Sequence, residues 1–409
     1  VTGCRACGGT LSVTMADLGL QPPSNAFLSP HQDAGSERRY PLRAKVCDQC
    51  RLVQVDYDVD PGELFGNYVY FSSYSDDWLA HAQRYCEMAM RRFALGHSSL
   101  VVELASNDGY LLKNFVAAGV PVLGIDPSDT VAAAAGKIGV PTLVEFFGAS
   151  VARRLVAAGS RADLLIGNNV LAHVPQLNDF VSGLAILLKP EGTVTIEFPH
   201  LLRLIEHGEF DTIYHEHYSY LSLYALEQVF ARVQLRIFDV EELRTHGGSL
   251  RIYATHAARG GITDSETLRR VRAAEAAAGI PDLDTYRRFG ARVLACRDSL
   301  LEFLSGAKGD GLEVAAYGAA AKGNTLMNYC GLTCADVPVV ADRSPHKQGK
   351  RLPGTHIPVI SPEELMARRP DYVLILPWNL REEIMRQLSG IRAWGGRFVT
   401  AVPRIRVHA

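Results

Sequence analysis

Long apolar runs are missing from the 409 residues, and none approaches the roughly twenty needed to cross a bilayer. The N-terminal stretch VTGCRACGG holds no signal-peptide core, so a cytoplasmic protein with no membrane partner is expected. An excess of either charge is missing too: 42 Lys+Arg against 44 Asp+Glu leave a net charge of −2. Phosphate neutralisation needs a local Lys/Arg surplus, so nucleic acid is not an expected partner. Eight cysteines are too few for a disulfide scaffold at this length. No low-complexity segment or convincing internal repeat is present. The remainder is ordinary folded-protein composition, 47% hydrophobic and 21% charged, long enough for two or three domains.

Texture divides the chain. Residues 1–75 are rich in Cys, Pro, Gly and Asp, with little periodicity. Residues 76–285 alternate short apolar runs (SLVVELA, VPVLGID, ADLLIGN, GTVTIEF) with helical patterns, the signature of buried parallel strands joined by helices. A long helical stretch interrupted by Pro281 leads into residues 286–409, where GLEVAAYGA, VPVVADRS, DYVLILPWN and GGRFVTAVP repeat the strand–helix alternation. An α/β protein is predicted, with a small N-terminal module, a central doubly wound sheet and a second, Rossmann-like sheet.

Four cysteines fall in two knuckles, Cys4-x-x-Cys7 and Cys47-x-x-Cys50. Each places two thiolates on one tight turn, and two turns close a tetrahedral S₄ site suited to zinc. Four sulfur ligands leave no open coordination position, so the metal is structural. A redox dithiol is the weaker reading, since no βαβ pattern surrounds either pair.

The loop Glu103-Leu-Ala-Ser-Asn-Asp-Gly109 joins a strand to a helix. It has Ala105 and Asn107 where a dinucleotide fingerprint wants glycines, and keeps only Gly109. The following strands end in Asp126, placed for ribose hydroxyls, in Glu145 and Phe146, placed for an adenine, and in Asn168. Acids after two strands without a phosphate loop suit S-adenosylmethionine better than NAD. Any α/β enzyme also ends its strands in polar turns, and that plainer reading weighs about equally here.

The densest polar cluster is Tyr214-His-Glu-His217-Tyr-Ser-Tyr. Two His at i, i+2 cannot share one helix face, so a zincin site is excluded. Acid/base work fits better, because imidazole titrates near neutrality and Glu or Tyr neighbours set its tautomer. His173 and His246 are candidates for the same cleft. Near the C-terminus, Tyr317-Gly-Ala-Ala-Ala-Lys322-Gly-Asn324-Thr is not a Walker A loop. Its glycines, Lys322 and a helix N-terminus read as a diphosphate cradle, with Lys347 and Arg351 adding charge, or as a plain turn. Trp378 and Asn379 in the PWN turn form another strand-end candidate.

Taken together, the knuckles, ELASNDG, NNVLAHVP, IYHEHYSYLS, THGGSLR and YGAAAKGNT resemble the S-adenosylmethionine-dependent nucleotide-sugar C-3'-methyltransferases that make branched deoxysugars of the tetronitrose and kijanose type. The resemblance is collinear over essentially the whole chain. It implies a zinc module, a class I methyltransferase domain and a C-terminal domain that helps hold a nucleoside-diphosphate 4-keto-6-deoxysugar. It also implies His217 as the base that removes the C-3' proton, Tyr214, Glu216 and Tyr68 as neighbours, and His173 as a donor to the enolate oxygen. His215 stands where some members carry Asp, and the Tyr-x-Glu-His frame favours His217. Glu103, Asn107, Gly109, Asp126, Glu145, Phe146 and Asn168 would hold the methyl donor; His246, Lys322, Asn324, Lys347 and Arg351 would hold the substrate. A monomer with a small-molecule substrate is expected. A sugar O- or N-methyltransferase and a non-catalytic nucleotide-sugar-binding protein are the alternatives.

Overall fold

Alternation in YPLRAKV buries Leu42, Ala44 and Val46 on one face of a strand, Tyr40–Val46. That strand is central to a four-stranded sheet with the spatial order Val13–Gln21, Tyr40–Val46, Val53–Val55, Ser219–Tyr220. The last strand comes from far along the chain and pairs antiparallel with Val53–Val55. The computed structural model describes residues 2–65, 72–74 and 76–408.

The four apolar runs of the middle region are strands, as expected, in a seven-stranded sheet. Its order is Leu235–Leu243, Ser249–His256, Leu188–Pro199, Ala162–Asn168, Val101–Leu104, Val122–Ile125, Thr142–Leu143. The last five are parallel; the first two, which come later in the chain, form an antiparallel hairpin. The chain starts at Val101–Leu104, winds to one edge, then returns to fill the other side. The switch point therefore lies between Val101–Leu104 and Ala162–Asn168, where α/β sheets bind ligands at the strand C-termini.

The C-terminal sheet has six strands, Val359–Ile360, Val340–Ala341, Val314–Tyr317, Tyr372–Ile375, Arg397–Thr400 and Arg406–His408, with only the last antiparallel. Pro281 does interrupt the helical stretch, separating Glu266–Ala277 from the 27-residue helix Leu283–Gly309. That helix buries Tyr286, Phe289, Val293, Cys296, Leu300 and Leu304, at the i, i+3/i+4 spacing of one face. The face joins Met15, Leu18 and Leu42 of the first sheet and Val314, Val340 and Leu374 of the third in one core. The zinc knuckles instead share a core with the central sheet. The N-terminal module is thus wedged between both α/β halves. Among the described residues, no helix is long and apolar enough to cross a membrane.

Candidate functional site

Metal ligation comes first because it shapes the module. The sulfurs of Cys4, Cys7, Cys47 and Cys50 all lie within 4.8 Å of one another. Cys4 and Cys50 are 3.5 Å apart and Cys7 and Cys47 3.3 Å. A tetrahedral zinc with Zn–S bonds of about 2.3 Å needs spacings of this size. Backbone N–H groups of Gly9 and Gln49 point at the Cys7 and Cys47 sulfurs at 3.4 Å each, compensating thiolate charge. A Cβ on Gly9 would sit 3.1 Å and 3.2 Å from those sulfurs, so the knuckle closes only around glycine. The donor set fits a structural zinc.

At the switch point the acidic strand ends converge. Asp126 accepts the Asn107 N–H at 2.9 Å and the Ser128 N–H at 3.0 Å. This tie bends the loop so that Ala105 and Asn107 adopt positive φ, 55° and 49°. The Asn107 side chain accepts the Ser72 N–H at 2.9 Å. Glu103 is almost fully buried, and neither carboxylate oxygen has a hydrogen-bond partner among the described residues; nor do Asp108 Oδ1, Asn168 Oδ1 and Asn169 Oδ1. Burial, and then Asp126 and Asp108, push the Glu103 carboxyl well above the usual range. These buried acceptors at the strand ends, with the Tyr110 hydroxyl beside Glu103 and Asn168, suit a donor-rich ligand. An ammonium, ribose hydroxyls and an adenine amine fit that need, which is the donor set of S-adenosylmethionine. Trp78, stacked 6.0 Å from Tyr110 and edge-on 5.7 Å from His246, adds an aromatic wall that composition and spacing did not reveal.

Two expected donor-site residues are placed differently from that reading. The third strand is only Thr142–Leu143, so Glu145 and Phe146 lie beyond it. Glu145 pairs with Arg154, and Phe146 is exposed. A Cβ on Gly109 would meet Val140 and Ile138 at 3.1–3.2 Å, so this glycine serves its positive φ of 78° and close packing.

The Tyr214–His217 segment forms a turn, with the His217 N–H bonded to the Tyr214 carbonyl at 2.9 Å. Residues i and i+3 then face the same way. The Tyr214 hydroxyl lies 2.9 Å from His217 Nε2, and the two rings are 4.0 Å apart. His217 Nδ1 is 2.9 Å from the Thr212 carbonyl, which can only accept, so the proton sits on Nδ1 and Nε2 presents its lone pair. Burial, and then the neighbouring His173, hold His217 well below its ordinary pKa, hence neutral. His215 points the other way: it is buried against the Pro41 carbonyl at 3.3 Å in the N-terminal module. Glu216 is buried, bonded by Asn25 at 2.7 Å, and pushed up to about 7 by burial.

His173 packs edge-on to His217 at 4.8 Å and donates from Nδ1 to the Glu216 carbonyl at 2.8 Å. Burial holds it down at about 4. Tyr68 lies outside the described residues. His246, at φ 54° in the Thr245–Gly247 turn, is exposed and lies 3.2 Å from the Asn169 amide.

The glycines of the C-terminal turn are closely packed. Cβ atoms on Gly318 and Gly323 would strike Pro377 at 2.4 Å and Leu376 at 2.6 Å, so both glycines admit the next strand end. Asp342 already accepts the Ala319 N–H at 2.8 Å. Lys347 Nζ donates to the Ala319 carbonyl and Arg351 to the Gln32 carbonyl, at 2.8 Å and 2.6 Å. The buried Asn324 amide donates to the Ser24 carbonyl at 2.8 Å. These three clamp the C-terminal turn and the 24–32 segment. Lys322 turns toward the Phe210–His217 segment: its charge is felt by His217, Asp211 and Glu209, and it is bonded to Asn379 at 2.8 Å. Asp211 and Glu209, raised to about 6 and about 7 by burial, were not anticipated; acids in an otherwise apolar turn, EFDTI, were the available signal.

Comparison with known proteins agrees with this layout. A family model described as a zinc binding domain matches residues 4–65, one described as a methyltransferase domain matches 78–240, and one described as a C-methyltransferase C-terminal domain matches 244–403. C-methyltransferase NovU of Streptomyces niveus is 36% identical over 407 residues, covering 99% of this chain and 96% of that protein. An uncharacterized methyltransferase of Mycobacterium leprae, MLBr02584, is 30% identical over 99 residues, 24% of this chain and 36% of the relative. Among solved structures, magnesium protoporphyrin IX methyltransferase of Synechocystis PCC 6803 with bound SAH is 16% identical, with a TM-score of 0.35 over 44% of this chain and 83% of that one.

Proposed function

The chain belongs to the family of S-adenosylmethionine-dependent C-methyltransferases with an N-terminal zinc-binding domain, and from that premise we propose that it methylates C-3' of a nucleoside-diphosphate 4-keto-6-deoxysugar, with His217 as base. Methylation at carbon, unlike methylation at oxygen or nitrogen, needs a carbon nucleophile. A carbonyl next to the reacting carbon acidifies its proton, and a positioned base completes the step. The observation that carries the reading is the neutral His217, with Nδ1 bonded to the Thr212 carbonyl and Nε2 facing Tyr214.

In this reading substrate displaces the Tyr214 hydroxyl from Nε2. His217 takes the C-3' proton and becomes an imidazolium. The freed Tyr214 hydroxyl donates to the C-4' oxygen, where negative charge develops. The enolate carbon is then held against the donor. Bound S-adenosylmethionine supplies an electrophilic methyl on its sulfonium. Glu103, Asp108 and Asn168 hold the donor within residues 76–285, and residues 286–409 hold the nucleotide portion of the substrate.

A panel of 4-keto sugar nucleotides in deuterium oxide tests this without methyl donor. Deuterium should appear at the carbon beside the ketone. His217→Asn should abolish exchange and lower kcat by at least about 10³-fold, with S-adenosylhomocysteine affinity nearly unchanged. Turnover within about tenfold of the parent would reject His217 as base. A product methylated at oxygen or nitrogen would reject the carbon assignment.

A further inference from the structure

The PWN turn of the C-terminal half, Trp378–Leu380, takes no direct part in the chemistry above, yet it reaches the catalytic segment. The Trp378 indole N–H donates to Asp211 Oδ2 at 2.8 Å. Two contacts fix the ring and one its backbone. The Lys322 ammonium lies 4.5 Å from its centroid, with Asn379 holding that ammonium at 2.8 Å. Gly247 presses against it so closely that a Cβ would come within 2.6 Å of the ring. The Trp378 backbone N–H is bonded to the Leu376 carbonyl at 2.9 Å.

Asp211 is fully buried and lies in the short turn Phe210–Thr212 of the methyltransferase half. Its other oxygen, Oδ1, has no hydrogen-bond partner among the described residues; the carboxylate also feels the Lys322 charge and the backbone N–H groups of Asp211 and Thr212, and the indole is its side-chain hydrogen-bond donor. The next residue, Thr212, provides the carbonyl that accepts the His217 Nδ1 proton. The Thr212 hydroxyl closes the turn on the Glu209 carbonyl at 2.7 Å. An anchor on Asp211 is therefore one residue from the acceptor that decides which nitrogen of His217 carries hydrogen.

We propose that Trp378 is a positioning residue for His217: by holding Asp211 it keeps the Thr212 carbonyl on Nδ1, and so keeps the Nε2 lone pair available to substrate. This rests on the reading of His217 as base. It assigns the C-terminal half a duty in setting the base, separate from holding the nucleotide. If the indole acts only as packing between the halves, a phenyl ring in its place should leave the imidazole tautomer alone.

The experiment uses the full-length, zinc-loaded protein with ¹⁵N-labelled histidine, the His217 signals being those lost in His217→Asn. The parent should show Nδ1 protonated and Nε2 bare. Trp378→Phe should give a mixture of tautomers and lower kcat by about tenfold or more, with KM and S-adenosylhomocysteine affinity within about threefold. Trp378→His, which restores a ring N–H, should recover part of both. Asp211→Leu removes the acceptor from the other side and should shift the tautomer in the same direction, which keeps the test open if Trp378→Phe does not fold. An unshifted tautomer in either variant, or kcat within about twofold in Trp378→Phe, overturns the proposal. If His217→Asn is inactive while Trp378→Phe is unaffected, only this inference fails; if His217→Asn stays active, the base assignment fails and this inference with it.

Discussion

Two strand–turn–helix junctions, Leu104 to Leu112 and Tyr317 to Ala321, occupy equivalent places in their respective sheets. They are built for opposite ends. The first ties its backbone with Asp126 and leaves acceptors of Glu103, Asp108 and Asn168 buried without partners. The second has its glycines packed on Leu376 and Pro377 and its free N–H taken by Asp342. The glycine-rich turn is closed and the glycine-poor turn is open. Unmet hydrogen-bonding capacity, more than glycine content, separates the turn proposed to receive the methyl donor from the one that receives a neighbouring strand.

Substitutions can break this contrast. The largest effect is expected in the closed turn. Gly318→Ala adds a Cβ 2.4 Å from Pro377 at a φ of 91° and should destabilise the protein by about 4 kcal/mol, summing strain and overpacking. Denaturant melts would show it, while S-adenosylhomocysteine affinity below the transition stays within about twofold. A melt matching the parent would mean the closed turn is slack.

Next comes the catalytic segment, which sits on the open side of the contrast. Glu216 is pushed up to about 7 from the ordinary 4.5 by burial. A carboxyl raised on folding contributes stability below its unfolded pKa and loses it as pH rises through 7. Glu216→Gln should therefore be more stable than the parent at pH 8, by up to about 3 kcal/mol, and equal to it near pH 4. Paired melts at the two pH values check this, and a pH-independent gap would contradict it. The smallest effect belongs to the open turn itself. Glu103→Gln should weaken S-adenosylhomocysteine binding by about 2 kcal/mol, roughly thirtyfold by titration calorimetry, with thermal stability unchanged or higher. Lower stability with intact binding would reverse the roles of the two turns.

Much of this was readable from residues because it is local. Apolar runs marked the parallel strands, and the knuckle spacing marked the four sulfurs. The hairpin Leu235–Leu243 and Ser249–His256 was less visible, since the charges in FDVEEL mask its period. The different settings of His215 and His217 come from the turn at Tyr214–His217, whose hydrogen bond places one ring against Tyr214 and the other against Pro41. The packing of the C-terminal turn has a long-range cause. Gly318 and Gly323 serve contacts with Leu376 and Pro377, more than fifty residues away, and spacing does not encode them. Asn25, which holds Glu216, is 191 residues from its partner and carried no signal.

The strand Ser219–Tyr220 follows the catalytic turn directly and belongs to the sheet of the zinc module, paired with Val53 and Gln54. Three residues after Cys50, the metal's own scaffold thus becomes the rail on which His217 is mounted. Exchanging modules between relatives to alter substrate choice would have to move both segments together. A chimera joined between them should bind its methyl donor and still misalign the imidazole.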